Sequence, residues 1–331
     1  MKKKNVAVLG ATGLVGVEVM KILEQRNFPT KELYLFASEQ SEGKTMLYKD
    51  TEIEVLSDYE SLKDKVDLVF SCLDAPFAKE IVPQFKDSAV VIDNSNAFRM
   101  DDDVPLIVPE INPEKVKEHN GIIANPNCST IQLLVPLYPL HKKATITRIF
   151  VATYQSVSGA GRLAVDELRY ELEFLCMDQA MDESTESIFH HPLANNVIPQ
   201  IGNFDDEGYT TEEMKMVNET RKILDNESIE VTATCVRIPI LVGHSEAVSV
   251  EFENPISPDE VKEILKSAPG VTLFKKSSTY PMPLHVVGKD KVYVGRIRKD
   301  LVFENGIAMW IVADNIRKGA ALNAVQIAEL L

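Results

Sequence analysis

The sequence predicts an α/β protein with a doubly wound parallel sheet, followed by an α+β part built on a mixed sheet. Short β-branched strands alternate with amphipathic helices over the first 127 residues. A glycine-rich turn follows the first of these strands. Beyond residue 130, longer strands outnumber the helices. Continuous apolar strands separated by helices are typical of a parallel sheet covered on both faces, whereas a strand-rich part with a few helices favours a mixed sheet.

The first part alternates strand and helix in order. We predict strands over 5–10, 32–38, 66–73, 89–95 and 121–126. Helices are predicted over 16–27, where Val17, Met20, Ile22 and Leu23 form the apolar face, and over 76–88. Ligands of such sheets bind at the carboxyl ends of the strands, so we expect a site there.

The second part begins with a strand over 147–159. Two long helices are predicted over 162–180 and 209–226, the second with Thr211 as its N-cap and Glu213 close behind. A shorter helix over 257–269 starts at Ser257-Pro258. The remaining strands are predicted over 229–241, 244–252, 292–301 and 306–315, and a C-terminal helix over 316–331.

Composition excludes several classes of protein. The formal net charge is −15 and the pI about 4.9, which disfavours binding to nucleic acid or anionic membranes. The basic start runs into a short strand and does not resemble a signal peptide, and no apolar stretch approaches a membrane span. Four scattered cysteines without a C-x-x-C fit a reducing cytoplasm and no metal site. The His190-His191 pair is interpreted as a surface or hinge feature.

Three glycines follow the first predicted strand. Gly10, Gly13 and Gly16 have the spacing G-x-x-G-x-x-G and precede a predicted helix. Such glycines permit a tight turn and close backbone approach to a pyrophosphate, and the helix N-terminus supplies free N–H groups. A glycine-rich turn of some other α/β protein is the bland alternative. The position of the loop after the first strand favours a dinucleotide site.

The segment after the second strand should distinguish NAD from NADP. Ser38 and Ser41 could hold a ribose phosphate, while Glu39 and Glu42 oppose it and Lys44 is the nearby cation. An acidic residue there favours the free ribose hydroxyl and a basic one favours the phosphate. The residues by themselves leave the cofactor open.

Cys128 lies where a strand ends and a helix begins. A helix N-terminus stabilises a thiolate, which is the reactive form of cysteine, but free cysteines are also often simply buried. From the stretch "NPNCST" alone the two interpretations are equal. His244, at the head of a predicted strand, is a candidate acid or base for such a thiol, although a lone histidine can also be structural.

Two arginines are candidate anion-binding groups. Arg237 interrupts an apolar strand, where an unpaired charge would be costly, and Arg99 follows a strand in the first part. Each is either a structural ion pair or a clamp for a carboxylate or phosphate. Gln155 and the loop over 156–161 add polar groups at a strand end.

These segments together resemble the aspartate-β-semialdehyde dehydrogenase family, along essentially the whole chain. The ordered matches include "GATGLVG", "DNSNAFR", "NPNCSTIQ", "TYQSVSGAG", "TCVRIPILVGHSE" and "GRIRKDL". The short insertion between the long helices is closer to the Gram-positive branch of the family. The resemblance implies NADPH-dependent reduction of L-4-aspartyl phosphate to L-aspartate 4-semialdehyde, in lysine, threonine and methionine biosynthesis.

The resemblance also implies roles for individual residues. Cys128 matches the nucleophile that forms a thioester, His244 the acid/base, and Asn127 and Gln155 the groups that orient thiol and acyl oxygen. The other matches are substrate and phosphate groups: Arg237 for the α-carboxylate, Glu219 for the ammonium, and Arg99 and Lys222 for the phosphate. Cofactor contacts match Gly10, Ala11, Thr12, Gly13, Leu14, Val15, Gly16, Ser38, Gln40, Ser41, Ser158, Gly159 and Asn315.

Two positions depart from the family pattern. Gln40 stands where an arginine often contacts the 2′-phosphate of NADP, so we expect a weaker NADP preference, with NAD tolerated. Asp74 stands close to the expected pyrophosphate, where a carboxylate would be unfavourable. Alternatives are another acyl-phosphate reductase, such as N-acetyl-glutamyl-phosphate reductase, a Cys/His acyltransferase or hydrolase, and a non-catalytic nucleotide sensor.

The resemblance further implies a glyceraldehyde-3-phosphate-dehydrogenase-like architecture. A Rossmann domain would comprise residues 1–129 plus 313–331, and a catalytic and dimerisation domain residues 130–312. We expect a cytoplasmic homodimer that binds a small substrate, phosphate and NADP, and no metal.

Overall fold

A computed structural model describes residues 2–177, 187–276 and 278–331. The chain forms two compact units. The first contains residues 1–127, 222–224 and 319–331, and the second contains residues 128–221 and 225–318. Each unit is built around its own sheet.

The first unit contains a seven-stranded sheet in the order β3-β4-β2-β1-β5-β6-β7. Its strands are β1 Lys4–Leu9, β2 Thr30–Phe36, β3 Thr45–Tyr48, β4 Thr51–Leu56, β5 Leu68–Ser71, β6 Val90–Asp93 and β7 Ile122–Ala124. All neighbouring strands are parallel except β3 and β4, which form a hairpin. The central strands β1 and β5 are almost entirely buried, as the continuous apolar pattern predicts.

Helices pack on this sheet and close its core. They are α1 Leu14–Gln25, α2 Ala75–Ile81 and the C-terminal α8 Leu322–Glu329. The C-terminal helix packs on α1, and the side chain of Arg26 binds both oxygens of Glu329 at 2.6 and 2.7 Å. The end of the chain therefore belongs to the same core as its beginning.

The second unit contains a six-stranded mixed sheet in the order β11-β12-β13-β10-β8-β9. Its strands are β8 Ile146–Gln155, β9 Glu230–Arg237, β10 His244–Phe252, β11 Val271–Leu273, β12 Val292–Lys299 and β13 Gly306–Ala313. The two outer pairs, β8 with β9 and β11 with β12, are parallel, and the other pairs are antiparallel. The predicted combination of a mostly parallel and a mixed sheet is confirmed.

One long helix crosses the inner face of this mixed sheet. Helix α3, Cys128–Ala144, contacts β8, β10, β12 and β13, and most of its residues are buried. The other helices are α4 Arg162–Cys176, α5 Thr211–Leu224, α6 Pro258–Ser267 and the short α7 Pro283–Val286. Helix α6 begins at the predicted Ser257-Pro258, and Ser257 forms a complete capping box with Glu260.

Several predicted boundaries were wrong. The cap of α5 is Thr210, not Thr211, because its backbone N–H and hydroxyl pair reciprocally with Glu213. Strand β9 ends at Arg237: the Ile238 N–H makes the last ladder bond, to the Gln155 carbonyl, and the Ile240 N–H then turns back to the Ile238 carbonyl. The hairpin of β3 and β4 was not predicted, and the C-terminal helix begins with a π-helical turn over Arg317–Ala321. The end of the predicted helix over 162–180 lies partly outside the described residues.

Within the described residues, none of the helices combines the length and apolarity needed to cross a bilayer.

Candidate active site

Cys128 is the first residue of helix α3 and is partly exposed. The preceding residue, Asn127, is buried and ends the first unit. No acidic residue lies in the first turn of α3, so the positive end of the helix dipole is not offset there by a neighbouring carboxylate. The strand-end and helix-start position predicted for Cys128 is confirmed.

Three buried polar side chains lie at adjacent strand ends of the second unit. Gln155 ends β8 and pairs in register with Arg237, which ends β9. His244 begins β10. The next residue of that strand, Ser245, pairs with Tyr154 of the antiparallel β8. Gln155, Arg237 and His244 are at most 5% exposed. Sheet register therefore brings together residues that lie up to 89 positions apart.

The hydrogen bonds of His244 fix which ring nitrogen carries the proton. The backbone N–H of Ser156 donates to Nδ1 at 3.1 Å. Nδ1 is therefore an acceptor, and the proton of the neutral ring is on Nε2. Nε2 is buried and has no hydrogen-bond partner among the described residues. Burial, followed by the charge of Arg237, lowers the pKa of His244 to about 3, so the imidazole is neutral in the free protein at pH 7.

Arg237 lies close to this ring and to the thiol. Its Nη1 donates to the Ser156 carbonyl at 2.6 Å. A Cβ placed on Gly159 would lie 3.2 Å from Arg237 Nη1 and 3.3 Å from His244 Nε2, so both nitrogens face that glycine. Burial lowers the pKa of Arg237, while the negative charges of Glu212 and Cys128 act in the opposite direction. The guanidinium is thus electrostatically coupled to the candidate nucleophile.

Gln155 is held by neighbours on two helices. Its Nε2 donates to Ser129 Oγ and, at 3.0 Å, to Glu212 Oε1. Its Oε1 is buried without a hydrogen-bond partner in the described part of the chain. This Oε1 is a hydrogen-bond acceptor. It therefore suits a donor group on the thiol or the substrate better than it suits an acyl oxygen, which is itself an acceptor.

Glu212 and Ser129 were not among the predicted site residues. Glu212 is buried in the first turn of α5, where sequence suggests only a capping role. Its other oxygen accepts from Lys215 at 3.0 Å. Nothing in the local pattern distinguishes it from Glu213, whose carboxylate caps the helix and accepts from the Cys235 N–H.

Asn315 connects three segments of the second unit. Its Oδ1 accepts from the Gly243 N–H at 2.8 Å and from the hydroxyls of Ser156 and Ser158 at 3.1 and 3.3 Å. Asn315 therefore fixes the turn over Val157–Ala160 relative to the start of β10. Ser158 and Asn315, both predicted cofactor contacts, lie together.

Glu219 and Lys222 lie further along α5. Glu219 is only 1% exposed. Charged side chains are rarely buried to this degree unless they are paired. The Lys222 ammonium donates to three backbone carbonyls, of Arg99, Asp101 and Val104, at 2.7 to 2.9 Å. All three of its N–H donors are used, so a direct phosphate contact would require one of them to be released.

Arg99 is also buried, at the end of the loop that follows β6. Its Nη2 donates to the Asn94 carbonyl at 2.9 Å. Burial raises the pKa of nearby Asp93, and the hydrogen bond from the Ser95 hydroxyl together with the charge of Arg99 opposes that shift. The loop over 93–99 is thus held by buried polar contacts within the first unit.

The glycine loop has the geometry that a dinucleotide site requires. Gly10 has φ +76°, and a Cβ there would lie 2.5 Å from the Cys72 carbonyl oxygen. A Cβ on Gly16 would lie 2.3 Å from the Gly10 carbonyl oxygen. Helix α1 begins after Gly13, and no side chain caps it. Ala11, Thr12, Leu14 and Val15 complete this loop, whose first-turn N–H groups suit a pyrophosphate.

The predicted ribose-binding segment forms a short 3₁₀ turn over Glu39–Ser41. Ser38, Glu39 and Gln40 are exposed, whereas Ser41 is buried and accepts from Lys44 Nζ at 3.3 Å. A cation therefore stands beside this segment although Gln40 itself is neutral. Asp74, which the sequence left unexplained, is exposed at the start of α2, where the helix dipole stabilises a carboxylate.

The described residues contain no cluster of ligands that could hold a metal ion. His190 and His191 are both exposed.

Comparison with known proteins identifies both units. Residues 5–119 match the family model of the semialdehyde dehydrogenase NAD binding domain, and residues 137–318 match that of the semialdehyde dehydrogenase dimerisation domain. The aspartate-semialdehyde dehydrogenase of Aquifex aeolicus is 53% identical over 99% of this chain and 97% of its own length. That of Bacillus subtilis is 45% identical over the same shares.

Solved structures agree with the sequence relatives. Aspartate semialdehyde dehydrogenase II of Vibrio cholerae, crystallised in complex with ASA, superposes with a TM-score of 0.97 at 45% identity, covering 100% of this chain and 98% of that one. The Candida albicans enzyme crystallised with NADP has a TM-score of 0.76 at 28% identity, with the same coverage. The chain therefore belongs to the aspartate-semialdehyde dehydrogenase family.

Proposed function

We propose that this protein reduces L-4-aspartyl phosphate to L-aspartate 4-semialdehyde with NADPH, through a thioester on Cys128. The reverse reaction would oxidise the semialdehyde in the presence of phosphate. The reaction lies at a branch point of lysine, threonine and methionine biosynthesis. The observation that carries the proposal is the convergence of Cys128, Arg237 and His244 in one unit, at the start of a helix and at neighbouring strand ends.

The first chemical step is acyl transfer to sulfur. The Cys128 thiolate attacks the acyl-phosphate carbonyl, the carbon–oxygen bond to phosphate breaks, and phosphate leaves as the thioester forms. The helix N-terminus and Arg237 favour the thiolate. The Nε2–H of His244 is the available donor for negative charge that develops on the acyl oxygen.

The second step releases the aldehyde. NADPH, when bound, supplies the hydride that reduces the thioester carbonyl. In the resulting tetrahedral oxyanion the carbon–oxygen double bond re-forms as the carbon–sulfur bond breaks, which releases the aldehyde and restores the Cys128 thiolate. Asn127 and Gln155 position the sulfur and substrate before this step, and the Nε2–H of His244 hydrogen-bonds the oxyanion until it collapses.

Substrate recognition is assigned to charged groups of opposite sign. Arg237 binds the α-carboxylate and Glu219 the ammonium. Arg99 and Lys222 bind the phosphate, for which Lys222 releases one of its three bonds to backbone carbonyls. A substrate with two anionic ends and one cation explains buried arginines and a buried glutamate in a protein of net charge −15. N-acetyl-glutamyl-phosphate reductase, the nearest alternative, would have no ammonium for Glu219 to bind.

NADP is assigned as the preferred cofactor, with NAD accepted. Lys44, which donates to Ser41 at 3.3 Å, would hold the 2′-phosphate together with Ser41, while the exposed Gln40 adds no charge. The glycine loop, Ser38, Ser158, Gly159 and Asn315 form the remaining contacts. Comparing kcat/KM for NADPH and NADH tests this, and an NADP preference above about a thousandfold would contradict acceptance of NAD. Lys44→Ala should weaken NADPH binding but not NADH binding.

The functional domains are assigned as residues 1–129 plus 313–331 for the dinucleotide and 130–312 for catalysis and dimerisation. The outer face of the mixed sheet is proposed as the homodimer surface. It exposes Phe150 and Tyr154 of β8, and Leu301 and Val302 nearby are 99% and 87% exposed. Phe150→Asp with Leu301→Asp should yield monomers in light scattering, whereas Leu47→Asp, an exposed residue of β3, should not. We also propose that the protein is cytoplasmic.

The deciding experiment is phosphate-dependent oxidation of aspartate semialdehyde, read as NADPH absorbance. The wild type should be active and Cys128→Ala inactive. Cys176→Ser removes an exposed thiol outside the site and is the matched control, with activity near wild type. Turnover without phosphate, activity in Cys128→Ala, or better turnover of N-acetylglutamate semialdehyde would refute the proposal.

A further inference from the structure

Three asparagine side chains of the first unit, Asn94, Asn125 and Asn323, form a chain of hydrogen bonds that we call the amide ladder. Asn94 follows β6, Asn125 follows β7, and Asn323 lies in the first turn of the C-terminal helix α8. Asn323 Nδ2 donates to Asn125 Oδ1 at 2.7 Å, and Asn125 Nδ2 donates to Asn94 Oδ1 at 2.9 Å. Asn94 Nδ2 donates in turn to the Ser71 carbonyl, at the end of β5, at 2.8 Å. The ladder therefore joins the C-terminal helix to the carboxyl ends of three neighbouring strands.

The amide donors of Asn125 and Asn323 are all used. An asparagine amide offers two N–H donors. Asn125 Nδ2 also donates to the Ala320 carbonyl at 3.2 Å, and Asn323 Nδ2 to the Ile107 carbonyl at 2.9 Å. Turning either amide over would place its oxygen against carbonyl oxygens, so only one orientation of each amide fits. Both side chains are at most 1% exposed, so water cannot replace a lost bond.

The ladder holds the first residue of the segment that leads into the nucleophile, residues 125–127, which we call the nucleophile turn. The backbone of Asn125 is held as well, since its N–H donates to the Asp93 carbonyl at 2.8 Å. Only Pro126 and Asn127 separate Asn125 from Cys128. The proline ring fixes its own φ and keeps the residue before it extended. A shift of Asn125 therefore has few rotatable bonds in which it can be absorbed before it reaches Cys128.

A purely structural role for the ladder is the alternative. Buried amides lose their bonds to water, and their hydrogen bonds offset that loss, so an apolar side chain could fill the same space as well. Other positions of α8 do use apolar side chains, since Ala324, Val325 and Ile327 are fully buried. Apolar contacts have no preferred direction, whereas hydrogen bonds fix the direction of both partners. Asn323 thus supplies a directional bond at the position of α8 that reaches the nucleophile turn.

We propose that Asn125 and Asn323 are positioning residues for Cys128, because the C-terminal helix holds the nucleophile turn in place through the bond between these two side chains. They act through the backbone of the turn and take no part in proton or acyl transfer. Their effect is on the rate at which the sulfur reacts with bound substrate, since a misplacement of about 1 Å can cost about a hundredfold in rate. This role rests on the proposed function, in which Cys128 is the nucleophile.

The test compares Asn125→Ala and Asn323→Ala with Val325→Ala in the full-length protein, at a temperature where every variant is folded. Val325→Ala removes buried methyl groups from the same helix and leaves the ladder intact, so it is the matched control for stability. In phosphate-dependent oxidation of aspartate semialdehyde, the first-turnover rate at saturation should fall about tenfold in both ladder variants. Each KM should change by less than about twofold. Val325→Ala should lower the melting temperature by a similar amount but keep the first-turnover rate of the wild type.

A double-mutant cycle tests whether the two asparagines act through their shared bond. In the variant with both alanines, the fall in first-turnover rate should be close to that of the more damaging single change, because one bond is lost only once. Hydrogen exchange supplies a readout without turnover. Exchange of the peptide over 122–130 should accelerate in both ladder variants and not in Val325→Ala.

Three results would overturn the proposal: an unchanged first-turnover rate in Asn323→Ala, an equal fall in Val325→Ala, or single effects that multiply in the double variant. If Asn323→Ala does not fold, Asn323→Ser, which keeps one hydroxyl donor, takes its place, with a smaller fall expected. If the wild type shows no turnover, the proposed function fails, and hydrogen exchange alone then decides whether the ladder holds the nucleophile turn. Turnover in the wild type with unchanged exchange in the ladder variants would refute the ladder and leave the proposed reaction standing.

Discussion

Glu246 of β10 lies directly opposite Thr153 of β8. Glu246 is two residues along its strand from His244, and Thr153 is two residues along its strand from Gln155. Both carboxyl oxygens of Glu246 and the hydroxyl of Thr153 are buried without a hydrogen bond of ordinary geometry among the described residues, although the nearby Gln132 side chain favours the Glu246 carboxylate. Gln132, one helical turn after Cys128, likewise has an amide with no bond of ordinary geometry in the described chain. A layer of buried polar groups thus follows the row of active-site side chains.

Glu246→Gln should stabilise the protein, and more so at higher pH. Because burial raises the pKa of folded Glu246 well above its ordinary 4.5, the folded protein keeps this proton to higher pH than the unfolded chain. The stability from this group is complete below pH 4.5 and is lost as the pH rises toward the folded pKa. The difference in unfolding free energy between variant and wild type should grow by up to about 1.4 kcal/mol per pH unit over that range. Urea unfolding at pH 5 and 8 measures it; Glu253→Gln, an exposed change, should show no such growth.

His244→Asn should make folding less sensitive to acid. The pKa of folded His244 is lowered to about 3, from an ordinary value of 6.5. The unfolded chain therefore binds a proton that the folded protein refuses, and stability falls as the pH drops from 6.5 toward 3. The loss approaches about 1.4 kcal/mol per pH unit. Unfolding free energies at pH 7 and 5 should differ less in the variant, whereas His191→Asn, at an exposed site, should behave as wild type. An equal pH dependence in His244→Asn and wild type would argue against burial of a neutral ring.

Gly16→Ala should destabilise the glycine loop without altering any side chain of the active site. The added Cβ would lie 2.3 Å from the Gly10 carbonyl oxygen and 2.8 Å from the Ala11 Cα, neither of which can rotate away. Overpacking of this kind costs about 1 to 3 kcal/mol. Thermal unfolding should detect the loss, and isothermal titration should show weakened NADPH binding. Gly43→Ala, where a Cβ meets nothing within 4 Å, is the control and should cost only the strain of its positive φ, about 1 kcal/mol.

Lys222→Met should loosen the loop over 99–104 and raise the KM for phosphate by about tenfold. Its ammonium binds the carbonyls of Arg99, Asp101 and Val104, and a methionine cannot replace those donors. Each lost bond from a charged donor costs about 1.5 to 3 kcal/mol locally. Hydrogen exchange of residues 99–104 should accelerate. Lys115→Met removes a neighbouring charge without these bonds, so it should alter neither quantity to the same degree. Unchanged exchange in Lys222→Met would contradict the role of the lysine as a loop clamp.

Local pattern predicted much of this protein because its strands and helices have strong periodicity. The buried β1 and β5, the glycine turn before α1, and the start of α6 at Ser257-Pro258 all follow from the amino-acid order. The hairpin of β3 and β4 was missed because its strands are short and the turn between them has no glycine; Lys49 and Asp50 adopt positive φ instead. The end of β9 at Arg237 was missed because the apolar run continues while the hydrogen bonds change.

The sequence by itself determined the fold class, the helix start at Cys128 and the family, since periodicity and ordered motifs are properties of the chain order. Only the tertiary structure decided that Nδ1 of His244 accepts from Ser156, that Glu212 holds Gln155, and that the donors of Lys222 all bind carbonyls. These contacts join residues between 57 and 123 positions apart. Their chemistry depends on sheet register and burial, which set the distances and the loss of water, and neither is written in any local stretch of residues.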